Sequence, residues 1–151
     1  MQNLGVNTIR VYNLDPTVNH DECASIFNAA GIYMLLDVNT PQVALNSDAP
    51  WTSYTKDYLQ HVFQVVEAFG SYPNLLAFIA GNENINNIAT AEFNPQYVKA
   101  VIRDLKNYIK KNSKRDIPVG YAAAQVQPIL QDQWNYCKYS LTLSLVFTNR
   151  N

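Results

Sequence analysis

The chain alternates between short apolar runs and longer segments in which apolar residues recur every three or four positions. The short runs are Thr8–Tyr12, Ile32–Val38, Leu75–Ala80 and Ile117–Ala122. Their length, their content of β-branched and aromatic residues and their flanking turn residues predict strands. Leu75–Ala80 is continuously apolar, which is typical of a strand buried on both faces. The four runs therefore predict a parallel sheet.

Three segments between these runs have helical periodicity, and each begins with a capping residue and ends with a stop. Their limits are Asn19 to Gly31, Ser53 or Thr55 to Gly70, and Asn94–Pro95 to Asn112–Ser113. Strands that alternate with helices at this spacing pair in parallel through right-handed crossovers. The pattern predicts either half of a (β/α)8 barrel or a small open α/β sheet.

The length of the chain limits how much of a barrel it can form. A complete (β/α)8 barrel takes about 250 residues, whereas this chain has 151. Ser140–Phe147 alternates between apolar and polar residues and could form a fifth strand, although the sequence shows no helix before it. An uncovered strand of this kind is an edge that pairs with other chains, so we expect poor solubility or self-association.

Composition and charge exclude several classes of function. The chain is 48% hydrophobic and 15% charged, which suits one globular domain with a real core. Its formal net charge is -1 and it has no long block of Lys or Arg, so we expect no nucleic-acid partner. We see no signal peptide and no apolar stretch that could cross a membrane. Its Cys and His residues lack metal-ligand spacing and there is no Gly-rich phosphate loop, so we expect neither metal nor cofactor.

The candidate chemistry lies where the apolar run Leu75–Ala80 ends in Gly81-Asn82-Glu83. Residues after a buried parallel strand emerge at its carboxyl end, where α/β proteins keep their sites. The Asn82 amide can hydrogen-bond a substrate hydroxyl, and the Glu83 carboxyl group can give or take a proton. The pair suits glycoside chemistry, although an Asn-Glu pair after a strand is, taken alone, more often a turn and a helix cap.

Further motifs along the chain carry a specific resemblance. They are Leu4–Tyr12, Asn19–Cys23, Ala29–Tyr33, Leu36–Pro41, Ala80–Glu83 and Asp116–Tyr121. Together they closely resemble the fungal β-1,3-glucanosyltransferases of glycoside hydrolase family 72, the Gas, Gel and Phr type. The resemblance spans about residues 3 to 121 and extends toward Cys137.

The resemblance implies a fold, an activity and roles for four residues. The fold is a partial TIM (β/α)8 barrel, about strands two to five with the intervening helices. The activity is cleavage of a β-1,3-glucan chain and transfer of the new reducing end to another glucan, with retention of configuration. Glu83 would be the general acid/base and Asn82 would hold the 2-hydroxyl of the donor sugar, while Tyr12 and Asp37 would line the sugar cleft.

The resemblance also defines what a complete enzyme needs beyond these residues. The family nucleophile is a Glu at the end of the seventh barrel strand, and no residue after Glu83 substitutes for it. Residues 1–137 would form a partial catalytic barrel, and residues 138–151 an atypical tail of the kind that a frameshifted or unspliced reading frame leaves. Cys23 and Cys137 would lack the disulfide partners that they have in the family. Family members are secreted and held at the plasma membrane or wall by a glycosylphosphatidylinositol (GPI) anchor.

Alternative interpretations remain at this stage. The chain could represent a glucanosyltransferase inactive alone, a β-glucan-binding protein without turnover, or an unrelated open α/β sheet. Asp37 could brace the barrel through backbone hydrogen bonds as well as contact sugar. Trp51, Tyr54 and Tyr58 could stack on sugar rings, but packing is the favoured role for tyrosines on a helix.

Overall fold

Five parallel strands lie side by side in the order in which they occur along the chain. The computed structural model describes residues 1–138 and 144–148. The strands are β1 (Thr8–Val11), β2 (Tyr33–Asp37), β3 (Leu75–Asn82), β4 (Val119–Ala123) and β5 (Ser144–Thr148). A doubly wound sheet reverses its strand order at a switch point, whereas this order is sequential. With right-handed crossovers, sequential order places all the helices on one face, as in the wall of a barrel.

The connections between the strands contain the helices. They are α1 (Asp21–Ala29), α2 (Pro50–Ser53), α3 (Lys56–Phe69), α4 (Ile88–Asn112) and α5 (Gln127–Lys138), preceded by a 3-10 turn at Gln2–Leu4. The prediction for α3 is confirmed at both ends. The Thr55 side chain accepts a hydrogen bond from the Tyr58 backbone N–H at 3.3 Å, and the helix stops at Gly70.

The predicted start of α4 at Asn94–Pro95 is wrong. The helix begins at Ile88, and Asn87 caps it through a reciprocal capping box with Thr90. Pro95 lies inside the helix, where it lacks the N–H that would bond to the carbonyl four residues earlier. Asn94 is buried and donates to the carbonyls of Thr90 and Ser47, so it ties the helix to the loop after β2 instead of starting the helix.

The expectation that no helix precedes the fifth strand is also wrong, because α5 occupies Gln127–Lys138. Its sequence is rich in Gln, Asp and Asn, which hides its periodicity. The fifth strand of the prediction, Ser140–Phe147, lies partly outside the described residues. Within them, β5 pairs in parallel with β4 from Val119↔Ser144 to Ala123↔Thr148.

The two faces of the sheet differ in what they bury. The face toward the helices carries the core, which includes Leu36 of β2, Val38 directly after it, and Phe78 and Ala80 of β3. Ile9 and Val11 of β1 pack against the same core. Because side chains alternate along a strand, Arg10 and Asp37 project from the opposite face. In a closed barrel, that face is the interior.

None of the helices in residues 1–138 and 144–148 is long and apolar enough to cross a membrane. Within the same ranges, no group of three or more His, Cys, Asp or Glu side chains could hold a metal ion.

Candidate active site

Arg10 connects three strands at the carboxyl end of the sheet. Its Nε donates to Asp37 Oδ1 at 2.8 Å, and its Nη2 donates to Asp37 Oδ2 at 2.6 Å. The same Nη2 donates to Asn82 Oδ1 at 2.8 Å. One guanidinium therefore holds the side chains of β2 and β3 together in a fixed geometry. The sequence predicted Asp37 and Asn82 as site residues but missed Arg10.

A β-bulge brings Asn82 to this network. Strict alternation from Phe78 and Ala80, which face the helices, would turn Asn82 the same way. Between Ile79 and Asn82, however, β3 uses three steps where β4 uses two, from Gly120 to Ala122. The extra residue re-aims the side chain toward Arg10. Bulges commonly serve active sites in this way.

Gly81 lies within this bulge and has no room for a side chain. A Cβ at this position would lie 2.6 Å from Asn84 Oδ1. Asn84 cannot easily give way, because it is buried and its Nδ2 donates to the Leu45 carbonyl at 3.0 Å. The glycine of the Gly-Asn-Glu motif therefore allows the segment after β3 to pack closely.

The Asp37 carboxylate is fully buried, with 0% of its side chain exposed, whereas Arg10 is partly open to solvent. Burial raises the pKa of Asp37, and the Arg10 guanidinium opposes that rise. In turn, the pKa of Arg10 is raised, mainly by its hydrogen bond to Asp37 and also by the charge of nearby Glu83. Asp37 is thus held by a side chain, whereas one of the two interpretations from sequence had it bracing the barrel through backbone hydrogen bonds.

Tyr12 stands beside this cluster at the end of β1. Its ring is 39% exposed, and its hydroxyl accepts a hydrogen bond from Asn39 Nδ2 at 3.4 Å. Asn39 is buried, and its Oδ1 has no hydrogen-bond partner among the residues that the structure describes. An open aromatic face next to an unpaired amide oxygen suits a ligand that carries hydroxyl groups. Asn39 is a second member of the site that the sequence did not single out.

Glu83 follows Asn82 in an unusual backbone conformation. Its φ is +50°, in the left-handed region that non-glycine residues rarely adopt. Its backbone N–H donates to the Ala122 carbonyl at 2.9 Å, which fixes the segment against β4. The half-buried side chain lies close enough to Arg10 for its charge to act on the guanidinium. Strain of this kind is typical of functional positions.

We predict that Glu83→Gly is about 1 kcal/mol more stable than Glu83→Ala, because only the alanine variant retains a Cβ at positive φ. Both variants remove the carboxylate, so their difference isolates the backbone conformation. Urea unfolding of the two proteins measures it. At Gln64, exposed within α3, the order should be reversed because glycine weakens a helix. Equal stability of the two Glu83 variants would show that the backbone at this position is not strained.

Of the aromatic residues that follow β2, two tyrosines pack against other side chains and a tryptophan is largely exposed. Tyr58 is buried in the core, and the Tyr54 hydroxyl bonds to Asp104 of α4, which agrees with the packing role. Burial and that bond raise the pKa of Tyr54 to about 12. Trp51 is 53% exposed and meets Phe93 edge to face, with ring centroids 5.8 Å apart. Trp51 and Tyr58 lie on helices and Tyr54 directly follows α2, and none of the three belongs to the Arg10 network.

Comparison with known proteins identifies the fold and the family. Residues 1–142 match the model of the glucanosyltransferase family, glycoside hydrolase family 72. The chain belongs to this family. It is 58% identical over 138 residues to 1,3-beta-glucanosyltransferase gel2 of Aspergillus fumigatus. This match covers 90% of this chain and 29% of gel2. It is 51% identical over 125 residues to 1,3-beta-glucanosyltransferase GAS4 of Saccharomyces cerevisiae, covering 82% and 26% respectively.

Solved structures agree with the family assignment. Saccharomyces cerevisiae Gas2p in complex with laminaripentaose superposes with a TM-score of 0.82 and 40% sequence identity. The match covers 87% of this chain and 29% of Gas2p. Gas2p is a TIM-barrel enzyme, so the prediction of a partial (β/α)8 barrel is confirmed. The alternative of an unrelated open sheet is excluded.

The extent of these matches defines how much of a family member the chain represents. It spans less than a third of the length of the curated relatives described above. The five described strands and their helices therefore correspond to part of a barrel.

Proposed function

We propose that the chain carries the acid/base side of a β-1,3-glucanosyltransferase active site. The observation that carries this proposal is the Arg10 network, which holds Asn82 beside Glu83 at the carboxyl end of β3. Membership of the family supplies the reaction class. The laminaripentaose complex of Gas2p supplies the substrate class, a β-1,3-glucan.

Each residue of the network has a distinct role in this proposal. Glu83 protonates the glycosidic oxygen as the donor chain breaks, and later takes a proton from the hydroxyl of the acceptor chain. Asn82 Oδ1 accepts from Arg10, so its Nδ2 is oriented to donate to the 2-hydroxyl of the donor sugar. Tyr12 and Asn39 contact the same sugar chain from β1 and β2.

Asp37 acts through Arg10 in this arrangement. It is fully buried, and both of its carboxylate oxygens accept from the guanidinium. A sugar in the cleft would meet Arg10 and Asn82 before it met Asp37. We therefore assign Asp37 a positioning role: it fixes the guanidinium that in turn orients Asn82.

The reaction also needs a second carboxylate, which attacks the sugar and forms a covalent intermediate. In retaining enzymes the two carboxyl groups lie about 5–5.5 Å apart. Among the described residues, Asp37 is the other carboxylate of the network, and Arg10 engages both of its oxygens. We propose that the nucleophile comes from the remainder of a complete barrel. The alternative function, β-glucan binding without turnover, needs only Tyr12, Asn39 and Asn82.

Asn82→Asp tests the proposed sugar contact. The variant keeps the oxygen that accepts from Arg10 but replaces the Nδ2 donor with a second acceptor. We expect laminaripentaose to bind about tenfold more weakly or worse, since one hydrogen bond to the 2-hydroxyl is lost and a group is left unpaired. Isothermal titration calorimetry of the full chain gives the affinity. Asn86→Asp, exposed in the following loop, makes the same charge change and should bind as the wild type does. Equal affinity of the two variants would refute the contact.

This chain alone should bind the sugar without converting it to products. We expect purified protein to form no oligosaccharides longer than laminaripentaose from that substrate, because the proposed nucleophile belongs to the remainder of a complete barrel. Chromatography of the products checks this. Products longer than the substrate that disappear in Glu83→Gln would show that the chain is an enzyme by itself.

The open sheet and the family suggest two further properties. β1 and β5 each lack a second neighbour within the described sheet, so we expect self-association through these edges. Sedimentation velocity over a range of concentrations would reveal it, and a sharp monomer at all concentrations would argue against it. We also propose that the complete protein acts outside the cell, secreted and GPI-anchored, as the resemblance implies.

A further inference from the structure

A cavity lies between α4 and α5, and its lining includes no residue of the Arg10 network. Its volume is about 300 Å³, at the lower end of the range of about 300–1,000 Å³ for small-molecule sites. Such a volume suits a single sugar ring better than a chain. Its lining combines polar and apolar side chains of the two helices with Ile85 from the loop after β3. They are Ile85, Ala91, Glu92, Pro95, Gln96, Ile129, Asp132, Gln133 and Tyr136.

Gln133 is the unusual residue of this cavity. Its side chain is only 5% exposed, yet neither Nε2 nor Oε1 has a hydrogen-bond partner among residues 1–138 and 144–148. Buried amides are normally satisfied, and an orphaned one costs free energy. Leaving both a donor and an acceptor unpaired in a cavity indicates that something else fills their hydrogen-bonding capacity.

The chemistry of the cavity limits what that ligand can be. A cation would satisfy Gln133 Oε1 but not Nε2, which is a donor. An anion would satisfy Nε2 but would be repelled by Glu92 and Asp132, which both line the cavity. A neutral ligand with adjacent hydroxyl groups satisfies both amide atoms and can also donate to the two carboxylates.

Tyr136 adds an aromatic surface at the edge of the cavity. Its ring is 44% exposed, and Lys99 Nζ lies 4.6 Å from the ring centroid. The same Nζ donates to the Tyr136 backbone carbonyl at 3.4 Å, which helps to hold this segment against α4. A partly exposed ring beside apolar residues is suited to the C–H face of a pyranose. Hydroxyl partners on one side and an aromatic ring on the other are the features of a sugar site.

We propose that this cavity is a second carbohydrate site, which binds one glucosyl unit of a β-1,3-glucan through Gln133, Glu92, Asp132 and Tyr136. The identity of the sugar rests on the proposed function, whereas the class, a neutral polyol, rests on the cavity itself. The site is separate from the cleft at Tyr12 and Asn82, because its lining comes from the helices and Ile85.

Titration of the full chain with laminaribiose tests this site. We expect saturable shifts of the Gln133 side-chain amide in ¹⁵N–¹H NMR spectra. Gln133→Met should weaken this binding by about tenfold or more, because two hydrogen bonds are lost. It should also fold well, since an unpaired buried amide is replaced by a side chain of similar shape. Tyr136→Ala, at an exposed position, should weaken binding too. Gln131→Met, exposed on the same helix, is the matched control and should bind as the wild type does.

The outcomes separate this site from the catalytic cleft. Shifts confined to Tyr12, Asn39 and Asn82, unchanged in Gln133→Met, would overturn the second site and leave the proposed function intact. Shifts at Gln133 that persist in Asn82→Asp, with none at Tyr12 or Asn39, would support the second site while the cleft assignment fails. Equal shifts with glycerol or with calcium ions would overturn the sugar assignment, because either would show that the cavity does not select a pyranose.

Discussion

Replacing Arg10 with methionine is expected to destabilise the fold by about 3–5 kcal/mol, the usual cost of removing one partner from a buried ion pair. Asp37 has no exposed surface and both of its oxygens accept from Arg10. In the variant its carboxylate would stay buried without a counter-charge. Urea unfolding of the full chain at low protein concentration measures the loss.

A double variant tests whether the stability lost in Arg10→Met comes from the unpaired charge or from lost packing. Arg10→Met with Asp37→Leu removes both charges, and apolar replacements of a buried pair are often neutral or stabilising. We therefore expect the double variant to recover most of the stability lost in Arg10→Met. If the two substitutions simply added, the ion pair would not be the cause.

The same pair predicts a dependence on pH. Burial raises the pKa of Asp37 in the native state, and the Arg10 guanidinium opposes that rise, so the loss of Arg10 raises the pKa further. Because its native pKa is raised, Asp37 favours the folded state most at pH values below the ordinary aspartate pKa of about 3.9, where it is protonated. This contribution to stability is lost as the pH rises through the native pKa. The deficit of Arg10→Met should thus be smallest near that ordinary pKa and grow toward neutral pH. If the stability lost in Arg10→Met did not change with pH, the loss would not come from the buried Asp37 carboxylate.

The strands and α3 follow from the sequence because their signals are local. Leu75–Ala80 is apolar throughout, and Thr55 and Gly70 mark the ends of α3 with a cap and a stop. The start of α4 was misplaced because Asn94–Pro95 has the form of a helix start. Its real role depends on Ser47, which is distant in sequence. A local pattern cannot reveal such a long-range tether.

The candidate site was predictable in its residue types but not in its geometry. Asn82 and Glu83 follow a buried strand, which places them at its carboxyl end from sequence alone. That Asn82 turns toward Arg10 depends on the bulge between Ile79 and Asn82, which arises only when β3 and β4 pair. Arg10 itself had a signal, a cation alternating with Ile9 and Val11 in a strand, but its partners lie on other strands.

The largest effect on activity is expected from Glu83→Gln in a complete barrel. The part of the chain that matches gel2, which is 58% identical over 138 residues, would replace the corresponding segment of that protein. In that chimera, Glu83→Gln should lower the rate of transglycosylation by about 10²–10⁴-fold, the usual contribution of a general acid/base. The glutamine keeps the size of the side chain but cannot transfer a proton. Affinity for laminaripentaose should change little, because the loss falls on the transition state.

A comparison of two donors with different leaving groups tests whether Glu83 acts by proton transfer. A donor with an acidic phenol as leaving group needs little protonation, so its release should be slowed far less by Glu83→Gln than cleavage of an unmodified glucan. Glu22→Gln, exposed in α1, makes the same change of charge and should retain full activity. An equal loss with both donors would point to a structural role for Glu83. A loss restricted to the unactivated donor would identify its carboxyl group as the proton donor in the departure of the sugar.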